Sequence, residues 1–222
     1  MTKPGLFELE AVVVGQPKRS WWRRYSGPDL TVSSLEGVPL ALVTHIDDTL
    51  SLLTEVSGEH VVRIERRARF GPFEQFAPTS FHFVDAAGRE VGTAGTRGLV
   101  RTRQLSLRTE QGRRLLLTRL GNLGLEWRLT ETATETETGK GTGKGTGTGT
   151  GTGTDPEDSP DQGPVPEALG RVTVSTVDRW VGLQQYVVEL GPGLGASERL
   201  TVVASVVCLH LLRRPPGGGG PA

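Results

Sequence analysis

The stretch from Leu200 to Leu212, which reads LTVVASVVCLHLL, constrains the fold more than any other part of the chain. At about 13 residues it is long for a β-strand and short for a membrane span. On a helix its apolar residues cover every side, which is typical of a helix buried all round. Ser197 suits the N-cap, Glu198 suits the first turn, and Arg-Arg-Pro after the run suits a C-terminus. The valines would also suit a strand, but the length and the end signals predict a buried helix over about 198–213.

The rest of the chain is built from short runs of Val, Leu and Thr separated by Gly, Pro or Asp. Several runs alternate strictly, so that Phe81 and Phe83 fall on one face and His82 and Val84 on the other. Three Gly-containing segments, LEGVP, DAAGRE and EQGRR, are suited to hairpin turns that need a positive φ. Period two with turn signals at this spacing predicts an all-β sandwich or barrel. A closed sheet with the apolar helix in its middle would bury the inward faces of all its strands.

Residues 131–166 break this pattern, because they contain no Leu, Ile or Phe and are dominated by Gly and Thr. They cannot bury enough apolar surface to offset the entropy of ordering, so we predict a disordered insert. The flanking runs LEWRLTET and ALGRVTV look like two arms of one hairpin that the insert interrupts. The predicted organisation is an N-terminal segment over 1–28, one barrel domain over 29–214 and a disordered tail over 215–222.

Charge and cysteine content indicate the cellular setting. The formal net charge is zero, but the insert is acidic and the body without it is near +5. That excess favours anionic partners and falls short of a dedicated nucleic-acid binder. Cys208 is the only cysteine, which predicts a reducing compartment. The N-terminus lacks a signal-peptide pattern and no segment has the 18 or so apolar residues of a membrane span, so a cytoplasmic protein is expected.

Several segments in order resemble the LURP-one-related family, which belongs with phospholipid scramblases and tubby C-terminal domains. The segments are FHFVDAAGREVG (Phe81–Gly92), LSLRTEQGRRLLLTR (Leu105–Arg119), EWRLTE (Glu126–Glu131), LGRVTV (Leu169–Val174) and the terminal ERLTVVASVVCLHLL. The resemblance covers roughly 29–214, the insert excepted. It implies a closed antiparallel barrel of about twelve strands around the buried helix, and contact with lipid. The Cys-rich and acidic metal-binding runs of the scramblases have no counterpart here, which argues against lipid flipping.

A cluster of cationic and aromatic residues precedes the predicted barrel, in the segment PKRSWWRRY. We call the following six residues the Trp–Arg cluster: Lys18, Arg19, Trp21, Trp22, Arg23 and Arg24. Trp rings settle at headgroup depth and Arg and Lys attract anionic lipid, so the cluster predicts contact with a membrane surface. The alternative is a loop before the first strand, with one Trp folded onto the body and the arginines solvated.

Signals for chemistry are weak. The Gly-Lys pairs of the insert lack the Ser or Thr, the strand and the helix that a phosphate loop needs. The histidines, at 45, 60, 82 and 210, have no metal-ligand spacing, and Cys208 on the apolar run suits an inert buried thiol. We therefore predict no catalytic residues, no metal and no cofactor. The leading hypothesis is a non-catalytic module at anionic lipid surfaces, and the alternative is a protein-interaction or scaffold domain. An enzyme or small-ligand binder would need an interior cavity.

Overall fold

The computed structural model describes residues 8–16, 30–47, 49–67, 78–97, 103–121, 125–132, 167–178 and 183–213. Within these ranges the chain forms twelve strands followed by one helix. The strands are β1 (Ala11–Gly15), β2 (Leu30–Ser33), β3 (Pro39–His45), β4 (Leu50–Glu55), β5 (His60–Arg67), β6 (Ser80–Asp85), β7 (Glu90–Arg97), β8 (Gln104–Thr109), β9 (Arg114–Leu120), β10 (Glu126–Glu131), β11 (Ala168–Asp178) and β12 (Leu183–Leu190), and the helix is α1 (Ala196–Arg213).

The twelve strands form a closed antiparallel barrel. Each strand pairs with its neighbours in sequence, and β1 pairs with β12 to close the sheet. The predicted fold class, a mainly β closed barrel with a C-terminal helix, is therefore confirmed. The sequence pattern did not predict two of these strands, β1 and β7. Because β1 spans Ala11–Gly15, the barrel begins inside the segment 1–28 that the sequence analysis placed before it.

The hairpin turns at one end of the barrel share one geometry. Gly37, Gly58, Gly88 and Gly112 have φ between +81° and +94°, and each amide donates to the carbonyl three residues before it. This is the three-residue hairpin loop that ends in a left-handed residue, which only Gly adopts without strain. The turns predicted in LEGVP, DAAGRE and EQGRR are therefore confirmed. A bulge between Phe83 and Val84 buries Val84, against the strict alternation expected for that run.

The C-terminal helix fills the middle of the barrel. Every residue from Leu200 to Leu209 is buried, as the all-round apolar pattern predicted. The helix contacts β7 and β8 most, and it also contacts β1, β6 and β12. Because β1 and β12 lie opposite β7 and β8 in the ring of strands, the helix crosses the interior between two walls. Its apolar side chains therefore pack against strands on both sides of the barrel.

The helix begins earlier than predicted and is capped differently. It starts at Ala196, and the Glu198 carboxylate accepts a hydrogen bond of 3.0 Å from the Gly195 amide. This is the backward half of a capping box, with the acid at the third helical position. The prediction of Ser197 as N-cap is wrong, because Ser197 lies in the first turn and its hydroxyl donates to Glu110 at 3.1 Å.

Arg113, in the turn between β8 and β9, fastens this end of the helix to the barrel. Its guanidinium Nη1 lies 3.2 Å from Glu198 Oε2, and its Nη2 lies 2.8 Å from Glu131 Oε2. Hydrogen bonding to both carboxylates raises the pKa of Arg113, and the same bond lowers the pKa of Glu131. Arg199 adds a second fastening, since its Nη1 donates to the Leu9 carbonyl at 2.8 Å.

At Gly92 of strand β7 the helix lies close against the barrel wall. A Cβ added at Gly92 would lie 2.6 Å from the Thr201 Oγ1 atom and 3.0 Å from the Arg108 carbonyl oxygen. Real Cβ atoms do not approach other atoms so closely, so Gly is required for the helix to lie where it does. Thr201 in turn donates to the carbonyl of Val91 at 3.2 Å. Because Gly92 has no side chain, the helix can lie close to β7 at Thr201.

Candidate functional site

The inner wall is committed to packing against the helix. Its largest side chains, Phe81, Phe83, Trp127 and Tyr186, are all buried in one cluster with the helix. The outer wall is therefore the surface that remains available to a ligand. A groove of about 610 Å³ crosses the outside of the barrel over β6 to β9. Its outward-facing lining residues are Ser80, His82, Thr93, Gly95, Ser106, Arg108, Arg114 and Thr132.

Strand register arranges these residues in rows across the sheet. His82 lies opposite Thr93, Thr93 opposite Arg108, and Arg108 opposite Arg114. The amide of Thr132 donates to the carbonyl of Arg114 and continues the line onto the chain that follows β10. We call these five residues the arginine row. At about 4.8 Å between strands, the row is roughly 19 Å long.

Small side chains form the floor of the groove beside the arginine row. Ser80 lies opposite Gly95, and Gly95 lies opposite Ser106. A Cβ added at Gly95 would meet only the Ser106 Oγ atom, at 3.5 Å, which is ordinary contact. The groove therefore results from the small residues on the outer face of β7 and its neighbours. A Cβ atom fits at Gly95, and a side chain that extends beyond it would occupy the floor of the groove.

Arg108 and Arg114 carry the charge of the site. Both side chains are exposed, and neither makes an ion pair or side-chain hydrogen bond with another residue in the ranges that the structure describes. Thr109 and Arg113 form the hydrogen-bonded pair that closes the hairpin, so Arg108 and Arg114 form the next, non-hydrogen-bonded pair. Side chains are closest in such pairs, with Cβ atoms about 5 Å apart. Like charges placed directly opposite each other are destabilising.

The remaining polar groups of the arginine row point to a ligand with acceptor oxygens. His82 Nδ1 lies 2.6 Å from Glu90 Oε2, so this carboxylate is already engaged at the edge of the groove. The Thr93 hydroxyl lies between His82 and Arg108 and makes no hydrogen bond within the described residues. On the floor, Ser106 donates to the Gly95 carbonyl at 3.2 Å. The groove thus offers two guanidinium groups and a hydroxyl side by side.

The predicted membrane-contacting residues fall outside the described residues. Lys18, Arg19, Trp21, Trp22, Arg23 and Arg24 lie in sequence between the end of β1 at Gly15 and the start of β2 at Leu30. The Trp–Arg cluster therefore stays a prediction. The same holds for residues 133–166 of the insert and for the tail over 215–222. The predicted start of the insert at residue 131 is wrong, because Glu131 is the last residue of β10 and pairs with Leu115. Strands β10 and β11 pair as predicted.

Sequence reasoning missed Arg108 and Arg114 as a pair, although a signal was present. The turn EQGRR was predicted, and the two arginines are equally distant in sequence from Gln111 at its tip. Residues placed symmetrically about a hairpin loop face each other across the two strands. Combining the turn with this symmetry would have predicted the like-charged pair.

The histidines and Cys208 do not assemble into a reactive centre. Within the described ranges, no group of three or more His, Cys, Asp or Glu side chains is placed to hold a metal ion. Burial raises the pKa of the Cys208 thiol well above its ordinary value, so the thiol stays protonated and unreactive. In the same part of the chain, no helix has both the length and the apolar character needed to cross a bilayer.

Two buried nitrogen donors, Arg66 Nε and Trp127 Nε1, have no hydrogen-bond partner among the described residues. Such groups often mark a ligand or water site. Arg66 lies on β5 and Trp127 on β10, which are on nearly opposite walls of the barrel. They do not form one cluster.

Comparison of the chain with models of protein families, with curated proteins and with solved structures gave no match.

Proposed function

We propose that this protein is a non-catalytic binding module that associates peripherally with anionic lipid surfaces in a reducing, cytoplasmic setting. The observation that carries the proposal is the Arg108–Arg114 pair. Two exposed guanidinium groups stand opposite each other without a carboxylate partner in the described residues, at a cost in stability that an anionic ligand would remove. The cationic excess of the body and the predicted Trp–Arg cluster agree in sign with such a surface.

The filled interior also supports a surface-binding role. A barrel whose middle is occupied by its own helix presents its outer wall and loops to other molecules. The sequence resemblance to the LURP-one-related family stays a prediction, and the lipid contact that it implies is consistent with the proposal. Each basic residue near an anionic membrane contributes about 1 kcal/mol, so a few such residues on one face give weak, reversible association.

Vesicle co-flotation tests this proposal. The protein is mixed with phosphatidylcholine vesicles, and with the same vesicles containing phosphatidylserine, at low and high salt. We expect flotation only with the anionic vesicles and its loss at high salt, because exposed charges are screened. A variant with Trp21, Trp22, Arg23 and Arg24 all changed to Ala examines the Trp–Arg cluster in the same assay. Failure to float with anionic vesicles at low salt would remove the proposal.

A specific observation favours protein interaction as the second candidate. Leu35, Val38 and Val56 are 61%, 45% and 52% exposed, and they lie on two neighbouring hairpin turns. The Val56 amide donates to the Leu40 carbonyl at 3.1 Å, which brings the two turns together. Exposed apolar groups that lie together indicate a contact surface. If vesicles do not bind, a protein partner captured by crosslinking should be lost when these three residues are changed to Ser.

A further inference from the structure

We propose that the groove over β6 to β9 is a site for a phosphate monoester on a hydroxylated, sugar-sized body, with Arg108 and Arg114 holding the phosphate. The inference deepens the proposed function and rests on it only for the anionic character of the ligand. The site is defined by residues of the described barrel wall, and it does not involve the Trp–Arg cluster.

Charge selects the phosphate. A monoester phosphate carries nearly two negative charges at neutral pH, and the two guanidinium groups of the Arg108–Arg114 pair carry two positive ones. A carboxylate or a phosphodiester would neutralise only one of them. Guanidinium groups bind phosphate oxygens through two parallel charge-assisted hydrogen bonds, and two opposed arginines can do so from both sides of one group. The anion also ends the repulsion between the two arginines.

Position along the arginine row defines how the ligand is oriented. Thr93 is the cross-strand neighbour of Arg108 on the other side, and its hydroxyl has no hydrogen-bond partner in the described part of the chain. This hydroxyl can donate to the same phosphate. Glu90, the nearby carboxylate, does not line the groove and is held by His82 at 2.6 Å. The anion therefore meets donors along the row, and the nearby carboxylate of Glu90 is hydrogen-bonded to His82.

The size and lining of the groove define the rest of the ligand. A volume of about 610 Å³ is several times that of a phosphate group and lies in the range of small-molecule sites. The floor is formed by Ser80, Gly95 and Ser106, whose small side chains leave room for a body beside the phosphate. The hydroxyls of Ser80 and Ser106 donate to the carbonyls of Arg67 and Gly95, and their oxygen atoms can still accept hydrogen bonds. The floor therefore suits a body that carries hydroxyl groups better than an aliphatic one. A sugar-like polyol meets both conditions.

The test is an amide chemical-shift titration with glucose 6-phosphate, with glucose and glucose 6-sulfate as comparison probes. We expect shifts at Thr93, Gly95 and Ser106 with glucose 6-phosphate, at least about tenfold weaker binding of the sulfate monoanion, and no binding of glucose. Equal responses to all three probes, or shifts confined to other parts of the barrel, would overturn the site.

Matched variants connect the shifts to the residues. Arg108→Gln with Arg114→Gln should weaken binding by at least about tenfold, because charge-assisted hydrogen bonds are lost. The control is Arg128→Gln with Arg171→Gln, which changes the net charge equally at another directly opposed arginine pair, outside the groove. Gly95→Val keeps both arginines and fills the floor, and it should abolish binding of the sugar phosphate. Equal weakening by the control pair, or full binding by Gly95→Val, would contradict the proposal.

Two sources of the ligand are distinguished by vesicles. Phosphatidic acid exposes a phosphate monoester, so phosphatidylcholine vesicles containing it should float the protein if the natural ligand is a lipid headgroup, and glucose 6-phosphate should release it. Binding of glucose 6-phosphate without flotation on these vesicles assigns the site to a soluble phosphate ester. A third outcome is flotation on phosphatidylserine vesicles that the Arg108 and Arg114 changes do not alter, with no response to glucose 6-phosphate. It would leave the association with anionic lipid standing, assign that association to residues other than this pair, and remove this site.

Discussion

The inner and outer faces of the wall formed by β7, β8 and β9 both carry arginine and glycine, but these residues have different surroundings on the two faces. Arg113 meets Glu198 and Glu131, whereas its neighbour Arg114 meets no carboxylate in the described residues. Gly92 faces the helix and leaves no room for a Cβ, whereas Gly95 faces outward and leaves room for one. The inner face packs against the helix. The outer face carries two arginines without a carboxylate partner in the described residues, and it has a groove beside them. A wall of this kind is stable on one side and available for binding on the other.

The largest expected difference is between the two neighbouring arginines. Arg113→Met should lower the free energy of unfolding by about 3 kcal/mol, because it leaves the Glu198 carboxylate, with a side chain only 10% exposed, without its cation. Arg114→Met should change it by less than about 0.5 kcal/mol, as for surface positions in general. Urea unfolding at neutral pH measures both. Equal losses in the two variants would contradict the difference between Arg113 and Arg114.

The two glycines give the next largest difference. Gly92→Val should destabilise the protein by about 2 kcal/mol, since the added carbons must displace Thr201 or the backbone of β8. Gly95→Val should leave stability unchanged or raise it by up to about 1 kcal/mol, because Val favours strands and Gly does not. The midpoint of urea unfolding is the measurement. A destabilised Gly95→Val would mean that the outer groove has a packing role.

A smaller effect is expected from the like-charged pair itself. Changing Arg108 and Arg114 to Gln should stabilise the ligand-free protein by about 0.5 kcal/mol, by removing cross-strand repulsion. The gain should shrink as salt is added, since exposed charges are screened. The pair Arg128 and Arg171 is the control, because Arg171 already has Glu126 at 2.9 Å. Thermal unfolding of both double variants at low and high salt measures this effect. A loss of stability in the variant at Arg108 and Arg114 would contradict the expected repulsion.

The smallest effect is a pH dependence of the inner contact. The Arg113 hydrogen bond holds the pKa of Glu131 below its ordinary value of 4.5 in the folded protein. Its contribution is therefore fully present above the unfolded pKa and is lost as the pH falls through the lower, folded pKa. The gap in unfolding free energy between the parent protein and Arg113→Met should narrow below about pH 4.5. Carboxylates that do not contact Arg113 are the same in both proteins and cancel in this difference. A gap that does not narrow would therefore exclude a pH-dependent contribution from the contacts of Arg113 with Glu131 and Glu198.

The sequence predicted the parts of the fold that depend on local pattern. Alternation placed Phe81 and Phe83 inward, and all-round apolarity identified the buried helix. Strand β7, EVGTAGTR, was not predicted because its Gly, Ala and Thr residues show no alternation of apolar and polar side chains. Strand β1 was not predicted because apolar and polar residues do not alternate in the run AVVVG. This strand pairs with β12, about 170 residues away in sequence. Its place in the barrel depends on contacts distant in sequence.

The candidate groove was less predictable than the fold, because it depends on register across four strands, β6 to β9. A shift of one residue between β7 and β8 or between β8 and β9 would remove Arg108 or Arg114 from the row. The difference between Arg113 and Arg114 could not be read from their sequence neighbourhood either. Arg113 owes its partner to a helix residue 85 positions later.

The helix that fills the barrel follows all twelve strands along the chain. During synthesis at about 5–20 residues per second, the strands emerge over roughly 10–40 s before the helix is available. Throughout that interval the inward valines, leucines and aromatic residues have no partner for the centre of the core, and β1 waits for β12. The core of the barrel can therefore be completed only after the helix has been synthesised.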